Sequence, residues 1–292
     1  MCVIIAKYFE DKGWVGVKNR DRNYVPEIGF EVSQKDGFEI LMFCDQVTGY
    51  KEGFNSNGVA ILSASLMVQD DEKEVTKTST KHSPDGKKIS DALLQQDATS
   101  AAKRAIENEL TGNTIIYDQD TLFLLEACKK DDEYHYVCKK IPHDEIVART
   151  NHGVWLPWAG YQRTPDDESQ TLSRISSEAR MLQAQGIVMT SENEDDMVNG
   201  MCRIYVDSPQ LNVMRTSTER KKMRTTAQEM IIPSEKTFYC RPISSHISFD
   251  FWALNHPKTN CWVEILSNRA LWQNTNGEPP FSSTGMKHTS DK

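Results

Sequence analysis

Four short β-rich runs crowd the first 66 residues of this chain and constrain its fold more than any other feature of the sequence. The runs lie at 3–9, 14–18, 38–45 and 58–66. A short polar stretch containing DKG separates the first two, which predicts a hairpin whose second strand ends near Asn19 or Asp21. The Gly- and Asn-rich connection TGYKEGFNSNG joins the last two runs. The sequence therefore predicts an antiparallel or mixed sheet at the start of the chain.

The rest of the chain alternates between helix and strand patterns. Helices are predicted at 90–110, 171–185 and 193–202, where apolar positions recur at helical spacing after residues that can cap a helix. Further strands are predicted at 113–118, 121–127, 134–140, 203–206, 225–232, 236–241 and 261–266. This order is typical of an α+β domain in which sheets pack together with helices outside.

One domain over residues 1–272 accounts for these elements. At 292 residues the chain is long enough for one large domain or two small ones. Residues 67–91 are polar and charged, so we expect an excursion or lid there rather than core. Residues 273–292 are polar as well, and we expect them to form a disordered tail.

Charge and composition exclude several classes of function. The net charge of −8 argues against a general affinity for nucleic acid, which needs a concentrated basic face. No apolar run approaches the roughly 20 residues of a membrane span, and the start of the chain lacks the pattern of a signal peptide, so we expect a cytoplasmic protein. The seven cysteines are scattered without a CxxC pair. They predict reduced thiols, no metal site and no cofactor.

Cys2 is distinctive because it becomes the first residue if Met1 is removed. Its own α-amino group, with an ordinary pKa of about 7.7–8.0, can then act as the base for its thiol. Such a nucleophile needs a carboxylate to hold the amine, a cation to favour the thiolate and donors for an oxyanion. The predicted hairpin brings the polar cluster Lys18-Asn19-Arg20-Asp21 back beside Cys2 and so supplies a carboxylate and two cations. A small buried cysteine beside a surface ion pair is the alternative interpretation.

The pattern Met-Cys, strand, turn, strand, Asn-Arg-Asp resembles the N-terminal nucleophile (Ntn) hydrolases. It is similar both to their choloylglycine hydrolase and penicillin V acylase group and to their NRDE-motif group. Farther along, TGNTIIYDQDTLFLLEA followed by IVARTNHGVWLPW resembles the isopenicillin N acyltransferase branch. The resemblance covers 1–66 and 111–242 in pieces. It implies a four-layer αββα sandwich and a cysteine enzyme that cleaves a linear, non-peptide amide C–N bond or transfers its acyl group.

The resemblance also implies roles for individual residues. Cys2 matches the nucleophile, and Asp21 matches the carboxylate that holds its amine. Asn151, in ARTNHG, matches the asparagine that donates to the oxyanion, with a second donor, a backbone N–H, expected near Ser65. The NRDE group places its arginine at Arg20, which we take as the cation beside the thiol.

Two further matches are less direct. Choloylglycine-type enzymes carry an arginine where this chain has Lys18, which is therefore the second choice for the cation. Arg224 matches a late arginine of the family, with Arg215 and Arg220 as rivals.

Aromatic residues follow the expected oxyanion residue. Trp155 and Trp158 can line an acyl pocket, although packing within a loop explains them equally well. His152 is interpreted as structural, because an N-terminal nucleophile carries its own base.

Two other functions stay open on the sequence alone. A class II glutamine amidotransferase-like glutaminase also begins Met-Cys, but CVIIA and TNHG fit its expected signatures poorly. A non-catalytic binding or scaffold descendant of the fold would keep Met1 and an inert Cys2. For the enzyme, we expect a small-molecule acyl-amide substrate, no nucleic-acid or membrane partner, and an oligomeric state left open.

Overall fold

The computed structural model describes residues 2–24, 26, 28–45, 47–66, 84–203, 205–216, 223–242, 252–255 and 287–290. Four helices lie within these ranges: α1 (Pro84–Ala92), α2 (Ala98–Glu107), α3 (Glu168–Thr190) and α4 (Glu194–Gly200). The strands in the same ranges are β1 (Cys2–Phe9), β2 (Gly13–Arg22), β3 (Ile28–Lys35), β4 (Phe38–Asp45), β5 (Tyr50–Asn55), β6 (Ala60–Ala64), β7 (Gly112–Tyr117), β8 (Leu122–Lys130), β9 (Glu133–Ile141), β10 (Val147–Arg149), β11 (Arg224–Ile232), β12 (Thr237–Pro242), β13 (Trp252–Asn255) and β14 (Lys287–Ser290).

The strands form two sheets. The first has the order β10-β1-β2-β11-β12-β13, and the second has the order β14-β3-β4-β5-β6-β7-β8-β9. All pairings are antiparallel except that of β14 with β3, which is parallel. The predicted hairpin at the start of the chain is β1-β2, at the centre of the first sheet.

Three apolar layers hold the elements together. Side chains between the two sheets, including Ile4, Trp14, Phe43 and Phe54, form the central layer. The second layer packs α3 and α4 onto the outer face of the first sheet. The third packs α1 and α2 onto the outer face of the second sheet. The result is the four-layer αββα sandwich that the family resemblance implies.

The β1-β2 hairpin sets which side chains face Cys2. Gly13, at its turn, has φ of +73°, and a side chain there would collide with the backbone of Gln119. Cys2 pairs directly with Arg20, and directly paired residues share one face of a sheet. Because side chains alternate along a strand, Lys18, Arg20 and Arg22 point between the sheets with Cys2. Asn19 and Asp21 point to the other face, beneath α3.

Several element predictions were wrong. No strand was predicted at β3, and β5 was expected to be part of a connection. In β5, Gly53 served as a turn signal, yet it lies within a strand where a Cβ would meet the Leu41 carbonyl oxygen at 2.0 Å. The single helix at 90–110 is two helices, because the Asp97 side chain caps α2 by accepting from the Ser100 backbone N–H. No strand occupies the described part of 203–206.

The structure describes only parts of the segments that were expected to be polar excursions or tails. Residues 67–83 of the expected excursion at 67–91 lie outside them, and 84–91 belong to α1. The strand expected at 261–266 also lies outside them. Of the tail at 273–292, the structure describes Lys287–Ser290 as strand β14.

Candidate active site

Cys2 begins β1 and lies between the two sheets with only 4% of its surface exposed. Its backbone nitrogen donates to Asn151 Oδ1 over 2.6 Å. This contact follows from the register, since β10 runs antiparallel to β1 with Ile4 opposite Arg149. Two residues before Ile4 and two residues after Arg149, Cys2 and Asn151 come together.

Two hydrogen-bond partners determine how the side-chain amide of Asn151 is oriented. Its Oδ1 accepts from Cys2, and its Nδ2 donates to the Ser65 carbonyl oxygen over 2.7 Å. An amide nitrogen carries two N–H groups. Among the described residues Ser65 is the acceptor for one, and no acceptor for the other is found there. The predicted donor at Ser65 was a backbone N–H, whereas the contact seen here is made by its carbonyl oxygen.

Buried polar contacts hold the segment that carries Asn151. Asn113 Nδ2 donates to the carbonyl oxygens of Thr150 and His152 over 2.8 and 3.1 Å. His152 Nδ1 lies 2.8 Å from Ser177 Oγ and 3.0 Å from Thr150 Oγ1. Burial, with the charge of Arg174, lowers the pKa of His152 to about 4. A neutral, buried imidazole held by two hydroxyl groups supports the structural interpretation of His152.

The Cys2 thiol is surrounded by cations. Arg22 Nη1 lies 3.7 Å from Cys2 Sγ and within hydrogen-bonding range of it. Burial raises the pKa of the thiol, but nearby positive charges, those of Lys18 and Arg22 among them, outweigh burial and lower the pKa to about 6. Burial instead raises the pKa of Cys44 to about 12 and that of Cys138 to about 11. Among these three thiols, Cys2 is the one whose pKa lies near neutral pH.

Among these charges, that of Lys18 lowers the pKa of Cys2 most. Lys18 lies fully buried between the sheets. Its ammonium pairs with Glu52 and donates to the Ser63 carbonyl oxygen over 2.6 Å. It also lies 5.1 Å from the centre of the Tyr50 ring. Burial lowers the pKa of Lys18 to about 7, although the nearby Cys2 and Glu229 oppose this effect. An ammonium so poorly solvated is stabilised by any anion nearby, including a Cys2 thiolate.

Arg20 is our first choice for the cation beside the thiol, and the structure pairs its guanidinium with carboxylates on other strands. Although it pairs with Cys2 across the strands, its guanidinium reaches 3.3 Å from Asp45 and 3.8 Å from Glu229. It also stacks 4.8 Å from the Phe43 ring. A long side chain that finds carboxylates on other strands extends away from its cross-strand partner.

Arg22 was missed because the second strand was predicted to end near Asn19 or Asp21. The structure extends β2 to Arg22, and a strand continued to this residue places every second side chain, from Lys18 to Arg22, on the face of Cys2. The alternation Lys-Asn-Arg-Asp-Arg was the available signal.

Asp21 is fully buried on the opposite face of β2. Its Oδ1 accepts from Thr225 Oγ1 over 2.8 Å, and its Oδ2 lies 2.5 Å from Arg180 Nη2 of α3 and 4.0 Å from Arg215 Nε. It lies close enough to Cys2 for its charge to oppose ionisation of the thiol. The Cys2 nitrogen itself contacts Asn151, so the role of Asp21 toward the amine stays a prediction.

Arg224 and Arg215, two candidates for the late arginine of the family, differ in their surroundings. Arg224 begins β11 opposite Arg22, and its side chain is half-buried. Arg215 is buried, and burial together with Arg180 lowers its pKa to about 9, while Asp21 and Cys2 oppose that shift. Arg220, the other rival, lies outside the described residues.

The charged side chains around Cys2 carry one more cation than they carry carboxylates. The cations are Lys18, Arg20, Arg22, Arg180 and Arg215, and the carboxylates are Asp21, Asp45, Glu52 and Glu229. Burying an unbalanced charge is costly. Lys18 and Arg22, two of these cations, are also the ones that lower the pKa of Cys2.

The two tryptophans lie on the loop that follows Asn151. Glu126, fully buried on β8, accepts from the backbone N–H groups of residues 154, 155 and 156 and so holds the turn that carries Trp155. Trp158 packs in a small apolar cluster with Leu66, Leu156, Cys128 and Ala159. Because Leu66 directly follows Ser65, this cluster borders the Asn151 contact. Both tryptophans are half-buried.

The pH dependence of alkylation tests the electrostatics of the site. We expect the rate of Cys2 modification by iodoacetamide to reach half its maximum near pH 6, where the lowered pKa places the thiolate transition. Below pH 6 the rate should fall about tenfold for each pH unit, because only the thiolate reacts. Mass spectrometry of the modified peptide over a pH series measures this rate.

The same measurement on Lys18→Met tests whether the Lys18 ammonium lowers the pKa of Cys2. Removing this ammonium should move the alkylation midpoint to higher pH, since Lys18 lowers the pKa of Cys2. The matched control is Lys12→Met, which removes a lysine that pairs with Glu194 and Glu235 in another part of the fold. A wild-type midpoint near pH 8.5, or equal midpoints for the two variants, would contradict the electrostatic assignment.

Neither a metal centre nor a membrane helix is found in the part of the chain that the structure describes. No group of three or more His, Cys, Asp or Glu side chains there is arranged to hold a metal ion. No helix among those residues combines the length and apolar character needed to cross a membrane.

The fold, but not the sequence, matches known proteins. No family model matches the sequence, and no curated protein matches it either. The structure resembles penicillin V acylase from Agrobacterium tumefaciens with a TM-score of 0.52 and 10% sequence identity, covering 87% of this chain and 86% of that one. Conjugated bile acid hydrolase from Clostridium perfringens, as a mutant, aligns with a TM-score of 0.46 and 13% identity over 91% of this chain and 96% of that one. A second variant of that hydrolase aligns with a TM-score of 0.43, 13% identity and the same coverage. At such low identity, the first likeness shows a shared fold.

Proposed function

We propose that this chain, which has the sandwich fold of the N-terminal nucleophile hydrolases, is a cysteine amidase that cleaves a small-molecule acyl amide through an acyl-enzyme on Cys2. The observation that carries the proposal is the setting of Cys2: a buried thiol with a lowered pKa, 3.7 Å from Arg22, whose backbone nitrogen is bound by Asn151. The structurally similar protein from Agrobacterium tumefaciens is named an acylase, which favours the same reaction class.

The first half of the reaction needs Met1 to be removed, so that the Cys2 nitrogen is a free amine. The Cys2 sulfur attacks the carbonyl carbon of the amide, forming a C–S bond and an oxyanion. The second N–H of Asn151 Nδ2 donates to this oxyanion, and a backbone N–H near Ser65 is the proposed second donor. The α-ammonium gives its proton to the leaving nitrogen, the C–N bond breaks, and the amine departs.

The second half releases the acyl group. The α-amine, now neutral, takes a proton from water as the water attacks the thioester, and the acid leaves with the thiol restored. An amine in place of water would make the same enzyme an acyltransferase. Within this proposal Asp21 holds the amine in position from beneath the strand, a role supported by its closeness to Cys2 and by its buried partners.

The acyl group is proposed to lie against the apolar cluster beside Ser65. Trp158, Leu66 and Leu156 form an apolar surface next to the Asn151 contact. Apolar walls with a few placed polar groups are typical of small-molecule sites. Trp155 is proposed to line the same pocket from the turn held by Glu126.

A cytoplasmic location forms part of the proposal. The six cysteines in the described ranges are all free thiols, in keeping with a reducing compartment.

The test combines intact-mass measurement with a substrate panel. We expect the purified protein to lack Met1 and to hydrolyse members of a panel of N-acyl amino acids, bile-salt conjugates and penicillin analogues, with release of the free amine as the readout. In the same assay Asn151→Ala should lower turnover by about 10²–10³, the usual cost of one oxyanion donor.

Other outcomes of this test identify the alternatives. Activity on glutamine alone would indicate a glutaminase. Retention of Met1 with no release of amine from any substrate would leave Cys2 without its base and would indicate a non-catalytic binding protein.

A further inference from the structure

The long helix α3 has a second apolar face that points away from the protein. Its inner face packs on the first sheet through residues such as Ala184, Ile187 and Val188. On its outer face, Leu172, Leu182 and Met189 are 57%, 65% and 69% exposed. Positions on this outer face recur at alternating steps of three and four residues. Together they are called the outer stripe: Leu172, Ile175, Ala179, Leu182, Gly186 and Met189.

This spacing is that of a coiled-coil seam. Apolar residues that repeat every 3.5 residues on average place one narrow stripe along a helix and pack best against a second helix. Isolated exposed apolar residues are ordinary in proteins, but a continuous stripe along most of a 23-residue helix is not. The stripe therefore indicates a helical partner.

Gly186 gives independent evidence for a close partner. It lies within the helix, where glycine is disfavoured. Yet a Cβ at this position would meet no atom of the described residues within 4 Å. Nothing in that part of the chain thus requires glycine here, whereas close approach of another helix does.

The stripe is complementary to itself in an antiparallel pair. When two copies of α3 cross about a two-fold axis near the middle of the stripe, Ile175 faces the partner's Gly186 and Ala179 faces the partner's Leu182. Leu172 then faces the partner's Met189. Large side chains meet small ones in the inner layers, as interdigitated packing requires. A parallel pair would instead place Gly186 against the partner's Gly186 and leave a gap.

We propose that α3 is the interface of a homodimer, in which the outer stripe packs against the same stripe of a second copy of this chain. The side chains that flank the stripe are mostly uncharged, including Thr171, Gln183 and Gln185. Glu178 already pairs with Arg163 and Arg174. One helix pair covers less area than the roughly 1,600 Å² of a standard interface, so the dimer should dissociate in the micromolar range.

Charge at the ends of the stripe predicts how salt affects the dimer. The antiparallel arrangement brings Glu168, at the start of α3, near the partner's Glu192. Both side chains belong to exposed residues. Because like charges repel and salt screens them, association should strengthen as ionic strength rises.

Sedimentation equilibrium of the full chain over a micromolar concentration series tests the proposal. Wild type should show a monomer–dimer equilibrium, and Leu182→Glu should raise its dissociation constant at least about tenfold. Tyr136→Glu, which places the same charge at an exposed aromatic residue on β9, is the matched control and should leave the constant unchanged. Circular dichroism establishes that each variant is folded.

Exchanging a large and a small side chain across the proposed helix pair tests its register. Gly186→Leu and Ile175→Ala should each weaken the dimer, and the double variant should recover most of the wild-type affinity, because the large and small partners have changed places. A wild type that is monomeric throughout the series would overturn the proposal, and so would a dimer that Leu182→Glu leaves intact. A marked loss of thermal stability in monomeric Leu182→Glu would also overturn it, and would identify a segment of the same chain as the occupant of the stripe.

Discussion

Replacing Cys2 by alanine should abolish amide hydrolysis, lowering kcat/KM by at least about 10⁴, since loss of a covalent nucleophile removes the reaction pathway itself. The fold should tolerate the change, because Cys2 lies at the first position of β1 and its sulfur makes one polar contact among the described residues, with Arg22. Steady-state kinetics with the best substrate of the panel measures the loss.

Two further variants define what the loss means. Cys44→Ala removes another buried thiol, whose pKa burial raises to about 12, and should leave kcat/KM nearly unchanged. Cys2→Ser keeps a nucleophile but replaces a thiol that ionises near pH 6 with a hydroxyl that does not, so it should resemble Cys2→Ala at neutral pH. Retention of a tenth or more of the wild-type activity by Cys2→Ala would rule out an acyl-enzyme on this residue.

Asp21→Asn should lower the free energy of unfolding by about 3–5 kcal/mol, the usual effect of leaving a buried cation without its carboxylate. Asp21 is fully buried and lies 2.5 Å from Arg180 and 4.0 Å from Arg215. Asparagine has the same shape but no charge, so both guanidinium groups lose their anion. Urea unfolding followed by circular dichroism measures the difference.

The matched control is Glu178→Gln. Glu178 also lies between two arginines, Arg163 and Arg174, but its side chain is 28% exposed. Water screens such a pair, so its loss should cost at most about 1 kcal/mol. Equal effects of the two variants would show that burial does not amplify the Asp21 pairing. Folded Asp21→Asn should also lose hydrolysis beyond what its unfolded fraction explains, if Asp21 holds the amine.

The fold class was predictable because its signals are local. The β1-β2 hairpin follows from two β-rich runs around a short turn, and the family resemblance implied the αββα layers that the structure confirms. The strands β3 and β5 were missed because their residues alternate weakly and include glycines. Gly53 looks like a turn residue in the sequence, and only the approach of β4 to β5 explains why a strand needs glycine there.

Part of the geometry of the candidate site was predictable in the same way. Cys2 and Asn151 were chosen from short motifs, and strand register brings them together over 2.6 Å. The cations were assigned less well. Arg20 and Arg22 lie on one face of β2, and the sequence does not show that Asp45 and Glu229 draw Arg20 away while Arg22 reaches the sulfur.

The sequence by itself determined that a cysteine directly follows Met1 and that a hairpin returns basic and acidic residues beside it, because these features depend on neighbouring residues. Tertiary structure alone decided the charge around the thiol. That charge is set by carboxylates on β4, β5 and β11 and by arginines on α3 and at position 215, which lie far apart along the chain. The physical reason is that electrostatic energy in a buried site depends on distances through space and on the exclusion of water, and the order of residues specifies neither.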